Sequence, residues 1–180
     1  MTILRTVQGD IMAAPENYIA HQTNGCTVYP YGLAKTIAQR FPWADVYGQR
    51  EKEPGKKNCA VSASRDPPGT VKVVQDPTNS DPKGVICMFA QWAPGKPGHY
   101  ASAYPSDYTD TLANRVEWFQ TCLDKIDDLN LCEPIAMPHS VGCGLAGGDW
   151  DTYRAMIESA QTEVVLYEWG LPTSGRNKHK

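Results

Sequence analysis

The sequence has little net charge and no long apolar run, and each lack excludes a class of protein. Its 17 basic and 20 acidic residues give a net charge of −3, so we expect no basic surface for a nucleic-acid backbone and no duplex partner. No stretch approaches the roughly 20 apolar residues that span a bilayer. The N-terminal segment also lacks the basic head and apolar stretch of a signal peptide. We therefore expect a cytoplasmic protein with no membrane partner.

The cysteines and histidines do not follow a metal-binding or disulfide pattern. There is no C-x-x-C pair, and the four histidines lack the spacing of zinc ligands. We expect no metal site, no cofactor and reduced thiols at all six cysteines: Cys26, Cys59, Cys87, Cys122, Cys132 and Cys143.

Strand and helix patterns alternate along the chain. Apolar periodicity predicts strands over 3–7, 17–22, 71–75, 85–91, 134–138 and 163–169, and helices over 32–41, 112–129 and 153–160. The strands over 71–75 and 85–91 are expected to pair. Residues 51–70 are polar and rich in Pro and Gly, which predicts a surface excursion with little regular structure.

This alternation predicts an α/β protein with three layers, α/β/α, around a mixed central sheet. A length of 180 residues suits a single domain, which we assign to residues 1–170. Residues 171–180 form a basic tail with little to bury, and we expect it to be disordered. Nothing in the sequence resembles a coiled-coil heptad run, and a monomer is expected.

The stretch "MPHSVGCGLAGGDW" (137–150) places four glycines within seven residues, between an apolar strand and a helix start. Successive backbone amides from Ser140 to Leu145 can form a concave anion site, and the helix that opens near Asp149 would add its positive end. A phosphate or pyrophosphate suits such a site. The alternative interpretation is a tight structural turn, although a turn needs only one or two glycines.

Three of these glycines also match the dinucleotide fingerprint G-x-G-x-x-G, with Glu168 about twenty residues further on. A dinucleotide-binding domain needs further strand and helix crossovers after this loop. Only one predicted helix and one predicted strand follow the loop in this chain, so we reject the interpretation as a dinucleotide-binding dehydrogenase.

A second strand-to-helix loop lies in "HQTNGCTVYPYGLAKTI" (21–37), and two such loops at strand ends would face one crevice. His21 offers an imidazole, Asn24 an amide that donates and accepts, and Tyr29 and Tyr31 aromatic faces with hydroxyls. This set suits a ribose next to a phosphate. Singly, His21 could be a core histidine and Asn24 part of a turn.

Four segments in this order resemble the macrodomain family of ADP-ribose-binding modules: "QGDI", "IAHQTNGCTVYPYGLAKTI", "VICMFAQ" and "IAMPHSVGCGLAGGDW". The resemblance covers about residues 3–168 and weakens over 48–70. Within the family the chain is similar to the branch of terminal ADP-ribose glycohydrolases and ADP-ribose 1″-phosphate phosphatases. The expected partner is ADP-ribose or an ADP-ribosylated molecule.

The resemblance implies a role for particular residues. Asp10 would accept from the adenine amino group, with the Ile11 amide beside it, and Asn24 would hold the distal ribose. Gly32 and Leu33 would lie in the first phosphate-facing loop. The second loop would contribute Ser140, Val141, Gly142, Cys143, Gly144 and Leu145.

The chain departs from the family where known catalysts lie. Gln91 stands where a glycohydrolase has its lysine nucleophile, and Ala146 and Ala34 stand where aspartates occur in two hydrolase classes. A glutamine cannot form a Schiff base, which leaves hydrolysis by a positioned water, or binding alone.

For hydrolysis, His21 would act as general acid or base and Asn24 would orient the ribose. His139 and Asp149 are reserve candidates, although Asp149 is better interpreted as the cap of the following helix. Cys143 is interpreted as packing and not as a nucleophile, despite a helix start that could lower its pKa. We expect a hydrolase of an ADP-ribose derivative, and the alternative is a non-catalytic reader of ADP-ribose.

Overall fold

The computed structural model describes residues 2–79, 82, 84–100 and 102–169. The predicted tail, 171–180, lies outside them. The strands are β1 (Ile3–Gln8), β2 (Tyr18–Asn24), β3 (Thr70–Gln75), β4 (Gly84–Gln91), β5 (Ile135–Pro138) and β6 (Val164–Glu168). The helices are α1 (Gly32–Arg40), α2 (Leu112–Asp128) and α3 (Trp150–Ser159). Short 3-10 turns, which the sequence did not predict, cover Ile11–Ala13, Pro42–Ala44 and Ser62–Ser64.

The six strands form one sheet in the order β1-β6-β5-β2-β4-β3. Neighbouring strands are parallel except β3, which runs antiparallel to β4 at one edge. The predicted mixed sheet and the pairing of β3 with β4 are therefore confirmed. Because five strands are parallel, their carboxyl ends meet at the same side of the sheet, where ligands of open α/β sheets bind.

The two faces of the sheet are covered by different helices. Helices α2 and α3 cover one face, where Phe119 of α2 meets Tyr153 of α3 with ring centroids 4.5 Å apart. On the other face α1 packs through Ala34 and Ile37, together with the 3-10 turn Pro42–Ala44. This arrangement confirms the three-layer α/β/α fold.

The excursion over 51–70 has little regular structure, as predicted. It contains one isolated bridge, between Lys52 and Ala60, and the 3-10 turn Ser62–Ser64. Nevertheless it is tied to the domain, since Arg50 at its start donates from Nε and Nη2 to Asp66 Oδ2, at 3.2 and 2.8 Å.

The buried side of α2 departs from a simple apolar pattern near its ends. Leu112 and Leu129 are exposed, because they lie at the first residue of the helix and just beyond its last. Arg115, by contrast, is buried on the core side. None of the helices in the described parts of the chain is long and apolar enough to cross a membrane.

Candidate functional site

A cleft of about 270 Å³ opens at the carboxyl ends of β2, β4 and β5. It lies between the β2–α1 loop (25–31) and the β5–α3 loop (139–149), as predicted for two loops facing one crevice. Among the described residues, no Asp, Glu, Lys or Arg lines it. The lining residues are His21, Gln22, Asn24, Tyr31, Gly32, Leu33, Ala34, Tyr47, Gln91, Pro94, Gly95 and residues 138–146.

Asn24 is held at the end of β2 by hydrogen bonds to its side chain and to its backbone. Its Oδ1 accepts from the amides of Cys26 at 3.1 Å and Thr27 at 2.9 Å, and its own amide donates to the Tyr47 hydroxyl at 3.0 Å. The side-chain Nδ2 has no acceptor in the described part of the chain and remains able to donate to a ligand. Asn24 therefore does shape a turn, through Oδ1, while Nδ2 is not used by that turn.

Arg50 supports the same loop from beneath, and sequence reasoning missed it. The buried guanidinium donates from Nη1 to the Thr27 carbonyl at 2.7 Å and from Nη2 to the Asn24 carbonyl at 2.8 Å. Gly25 is required here because a Cβ would clash with the carbonyl oxygen of Asp66. Arg50 and Asp66, which lie near the two ends of segment 51–70, thus determine the backbone path of the β2–α1 loop.

Helix α1 points its N-terminus into the cleft. Its cap residue, Tyr31, makes no side-chain hydrogen bond to the helix, and its carbonyl accepts from Lys35 N at 3.4 Å. The amides of Gly32, Leu33 and Ala34 have no acceptor within the described residues. These donors and the positive end of the helix dipole favour an anion there.

Two of the six amides predicted to bind an anion in the β5–α3 loop are used inside the protein. Val141 N donates to the Pro138 carbonyl at 3.2 Å, and Cys143 N donates to the Ser140 carbonyl at 3.0 Å. The other four find no acceptor in the part of the chain that the structure describes: Ser140, Gly142, Gly144 and Leu145.

The internal turns of this loop direct the remaining amides. The Gly144 carbonyl accepts from Gly147 N at 3.2 Å. In a planar trans peptide the N–H points opposite to the C=O, so the amide of Leu145 faces away from that turn. Ser140 and Gly142 have φ of +61° and +73°, and this alternation of backbone conformations produces a concave run of donors.

The start of α3 was predicted to add its positive end to the anion site, but in the structure it does not face the cleft. Asp149 caps α3, with Oδ2 accepting from Thr152 N at 3.0 Å and Thr152 Oγ1 at 2.7 Å, and neither Asp149 nor Trp150 lines the cleft. These hydrogen bonds lower the pKa of Asp149, and its carboxylate offsets the positive end of α3. The cap interpretation is confirmed, and α1 supplies the helix end that faces the cleft.

His21 lies at the floor of the cleft and is only 3% exposed. Its Nε2 is 3.7 Å from Cys87 Sγ, and its buried Nδ1 has no partner among the described residues. Burial lowers the pKa of His21 to about 4, so the ring is neutral near pH 7. A neutral imidazole is suited to accept a proton, whereas the acid form is scarce at that pH.

His139 and Cys143 also line the cleft, and each has contacts within the protein. His139 Nδ1 lies 2.9 Å from Ser140 Oγ, and its ring packs 4.6 Å from the Trp150 ring. Burial, together with the Asp149 carboxylate, raises the pKa of Cys143 to about 11. The Cys143 thiol donates to the Val141 carbonyl at 3.3 Å and contacts the core, consistent with packing.

Gln91, which replaces the family's lysine, belongs to a chain of amides. Gln22 Nε2 donates to Gln91 Oε1 at 2.7 Å, and Gln91 Nε2 donates to the Ala93 carbonyl at 3.0 Å. The side chain is therefore fixed and neutral, and it offers no nucleophile.

A second buried arginine, Arg115, lies behind the cleft, and sequence reasoning missed it too. It is 1% exposed and pairs with Asp110, its Nε donating to Oδ1 at 2.6 Å. Its Nη1 donates to the carbonyls of Gly95 at 2.6 Å and Ala146 at 3.1 Å, and its Nη2 to that of Ala93 at 3.0 Å.

Asp10 and Ile11 lie outside the cleft lining. They follow β1, two strands away from β5, or about 10 Å at the usual strand spacing. Asp10 Oδ1 accepts from Met12 N at 2.9 Å and caps the 3-10 turn Ile11–Ala13, which contacts β5. These two residues and the cleft therefore share one side of the sheet, and only an elongated ligand could contact both.

Comparison with solved structures adds a fold assignment. No protein-family model and no curated protein matches this sequence. The macrodomain of Thermus aquaticus DarG is similar with 18% identity and a TM-score of 0.61, over 92% of this chain and 97% of that one. A Bacteroides thetaiotaomicron protein has 19% identity and a TM-score of 0.59, over 92% and 99% of the two chains. A mutant of the Oceanobacillus iheyensis macrodomain has 15% identity and a TM-score of 0.52, over 92% and 84%. With its order of strands, its cleft and these neighbours, the chain has the macrodomain fold.

Proposed function

We propose that this protein binds ADP-ribose or an ADP-ribosylated molecule in the cleft and hydrolyses an ADP-ribose derivative. The observation that carries the proposal is the pair of amide runs, at the start of α1 and in the β5–α3 loop, that face one cleft with no charged side chain in its described lining. Backbone amides recognise a phosphate without a basic residue. The unpartnered Nδ2 of Asn24 beside them supports a ribose next to that phosphate.

The position of Asp10 and Ile11 fits the other end of such a ligand. A pyrophosphate in the cleft would extend toward β1 along the carboxyl ends of the strands, where Asp10 has a second carboxylate oxygen free to accept from an adenine amino group. This assignment rests on the family resemblance and on the shared side of the sheet.

For the chemical step we propose that His21 acts as the base, with Asn24 orienting the ribose. In a 1″-phosphate ester, the oxygen of water attacks phosphorus while His21 takes the water proton. The bond between phosphorus and the C1″ oxygen breaks, and that oxygen receives the proton from His21. The amides of Gly144 and Leu145 would stabilise the charge that develops on the phosphoryl oxygens. A neutral His21 supports the base role.

The alternative is a reader that binds ADP-ribose and performs no chemistry. Two observations favour it: the described cleft lining contains no carboxylate, and Gln91 is fixed in an amide chain. On either proposal the protein acts in the cytoplasm, as a monomer.

Calorimetric titration with ADP-ribose tests the binding proposal, with Asp10→Ala as the variant that should lose affinity. Phosphate release from ADP-ribose 1″-phosphate in the same samples tests the hydrolase. His21→Ala should abolish turnover and spare ADP-ribose affinity. Binding without turnover on this ester or on ADP-ribosylated substrates would establish the reader, and no binding at all would refute the proposal.

A further inference from the structure

We infer that Arg115 is a positioning residue for the anion-binding face of the cleft, an inference that rests on the proposed function. The guanidinium ties Ala146, in the β5–α3 loop, to Gly95, in the loop that follows β4. Both residues line the cleft, so Arg115 fixes the distance between two of its walls without touching the ligand.

The hydrogen bonds of Arg115 show that it acts on backbone orientation. Among the described residues it donates only to carbonyl oxygens and to Asp110, and Asp110 Oδ2 in turn accepts from the amide of Ala93 at 2.8 Å. A carbonyl oxygen that accepts a hydrogen bond from Arg115 points toward the buried guanidinium, and so it does not face an anion in the cleft. The peptide groups of the wall are thereby held with their oxygens away from the cleft.

Burying the ion pair of Arg115 and Asp110 costs desolvation energy. We therefore infer that the pair contributes mainly to the geometry of the cleft walls and less to stability. Replacing a buried ion pair with neutral side chains of similar volume is often neutral or stabilising, whereas removing one partner is strongly destabilising. Arg115 and Asp110 are 1% and 9% exposed at their side chains. A neutral pair could therefore fold as well, but it could not gather three carbonyls from two loops.

The test uses Arg115→Met combined with Asp110→Asn, which removes both charges and keeps an acceptor for the Ala93 amide. The matched control is Arg154→Gln with Glu158→Gln, an exposed pair on α3 whose N and O atoms are 3.3 Å apart. Affinity for ADP-ribose and for inorganic pyrophosphate is measured by calorimetry, and thermal stability by denaturation. We expect the buried double variant to fold with a lowered melting temperature, because the carbonyls of Gly95 and Ala146 lose their donor, and to lose about tenfold or more in affinity for both probes. The control should keep both affinities.

Wild-type affinity in a stably folded double variant would overturn the inference, as would an equal loss in the control. If the double variant does not fold, Arg115→Lys decides: a folded protein with weakened affinity supports positioning, and unchanged affinity overturns it. Pyrophosphate separates this inference from the proposed function. A wild type that binds pyrophosphate but not ADP-ribose refutes the proposed ligand, and the variants still test Arg115. A wild type that binds neither probe refutes both.

Discussion

The backbone amide of Asn24 donates to the hydroxyl of Tyr47 at 3.0 Å, and both residues are buried. The residue proposed to hold a ribose is therefore fixed by a hydroxyl that comes from the α1 face of the sheet. Burial raises the pKa of Tyr47 well above its usual range, so the hydroxyl stays protonated and neutral at physiological pH.

Tyr47→Phe should weaken both the fold and ligand binding. It leaves the Asn24 amide without its acceptor, which costs about 1–3 kcal/mol when the group is buried, and it frees the loop that presents Nδ2. Thermal denaturation and titration with ADP-ribose measure the two effects. Tyr29→Phe is the control and should change neither, because the structure leaves its exposed ring outside the cleft lining, in contrast to the sequence expectation. A Tyr47→Phe protein with wild-type stability would contradict this role.

Gly142→Ala should damage the β5–α3 loop. Its Cβ would lie 2.6 Å from Gln22 Oε1 and 2.7 Å from Tyr153 Cε1, at a φ of +73°, and strain of this kind costs of order 1–3 kcal/mol. Chemical denaturation and ADP-ribose titration should both show a loss. Gly144→Ala is the control, since a Cβ there meets nothing within 4 Å and stability should be unchanged. Equal stability of the two variants would show that the loop relaxes around a side chain.

The burial of His21 predicts a loss of stability in acid. Its pKa is about 4 in the folded protein, against an ordinary value of 6.5, so the unfolded chain binds the proton more readily. The contribution is fully present above about pH 6.5 and is lost as the pH falls toward 4, amounting to about 3 kcal/mol. Urea denaturation of the wild type and of His21→Asn between pH 7 and 4.5 measures it. The difference between the two proteins should change with pH in this window, and a constant difference would contradict the prediction.

Cys143 should be dispensable for chemistry. Its raised pKa, about 11, keeps the thiol protonated near pH 7, and a thiol is a much weaker nucleophile than a thiolate. Cys143→Ala is expected to retain turnover and affinity within a few-fold. Iodoacetamide, followed by mass spectrometry, should modify the exposed Cys132 faster than Cys143; rapid loss of turnover on alkylation of Cys143 would contradict this assignment.

The parts of the site that follow from local sequence could be predicted. An apolar strand followed by glycines and a helix start predicts an amide-lined loop, and two such loops in an α/β sheet predict a shared cleft. Asn24 was predicted in the same way, although its partner Tyr47 was not, because the two are 23 residues apart and meet through tertiary packing.

The two arginines could not be found from sequence for a physical reason. Arg50 and Arg115 each pair with one aspartate and also donate to carbonyl oxygens of the loops around the cleft, and because every residue has a carbonyl, no side-chain pattern marks those loop partners. Arg115 even falls at the i−4 position from Phe119 on the apolar stripe of α2, where a charged residue is ordinarily assigned to the surface. The start of α3 was also expected to face the cleft, and it does not. Asp149 does mark a helix start, but its carboxylate caps that start and offsets the positive end of the helix.

An anion site made of amides responds to mutation differently from one made of side chains. Alanine scanning across residues 140–146 would leave every N–H in place, and would register lost side-chain contacts or changes in backbone shape but not the loss of an amide donor. Proline is the informative substitution, because it removes the donor itself. Leu145, whose side chain is 72% exposed, is the position where such a change reports on the hydrogen bond with the least disturbance of packing.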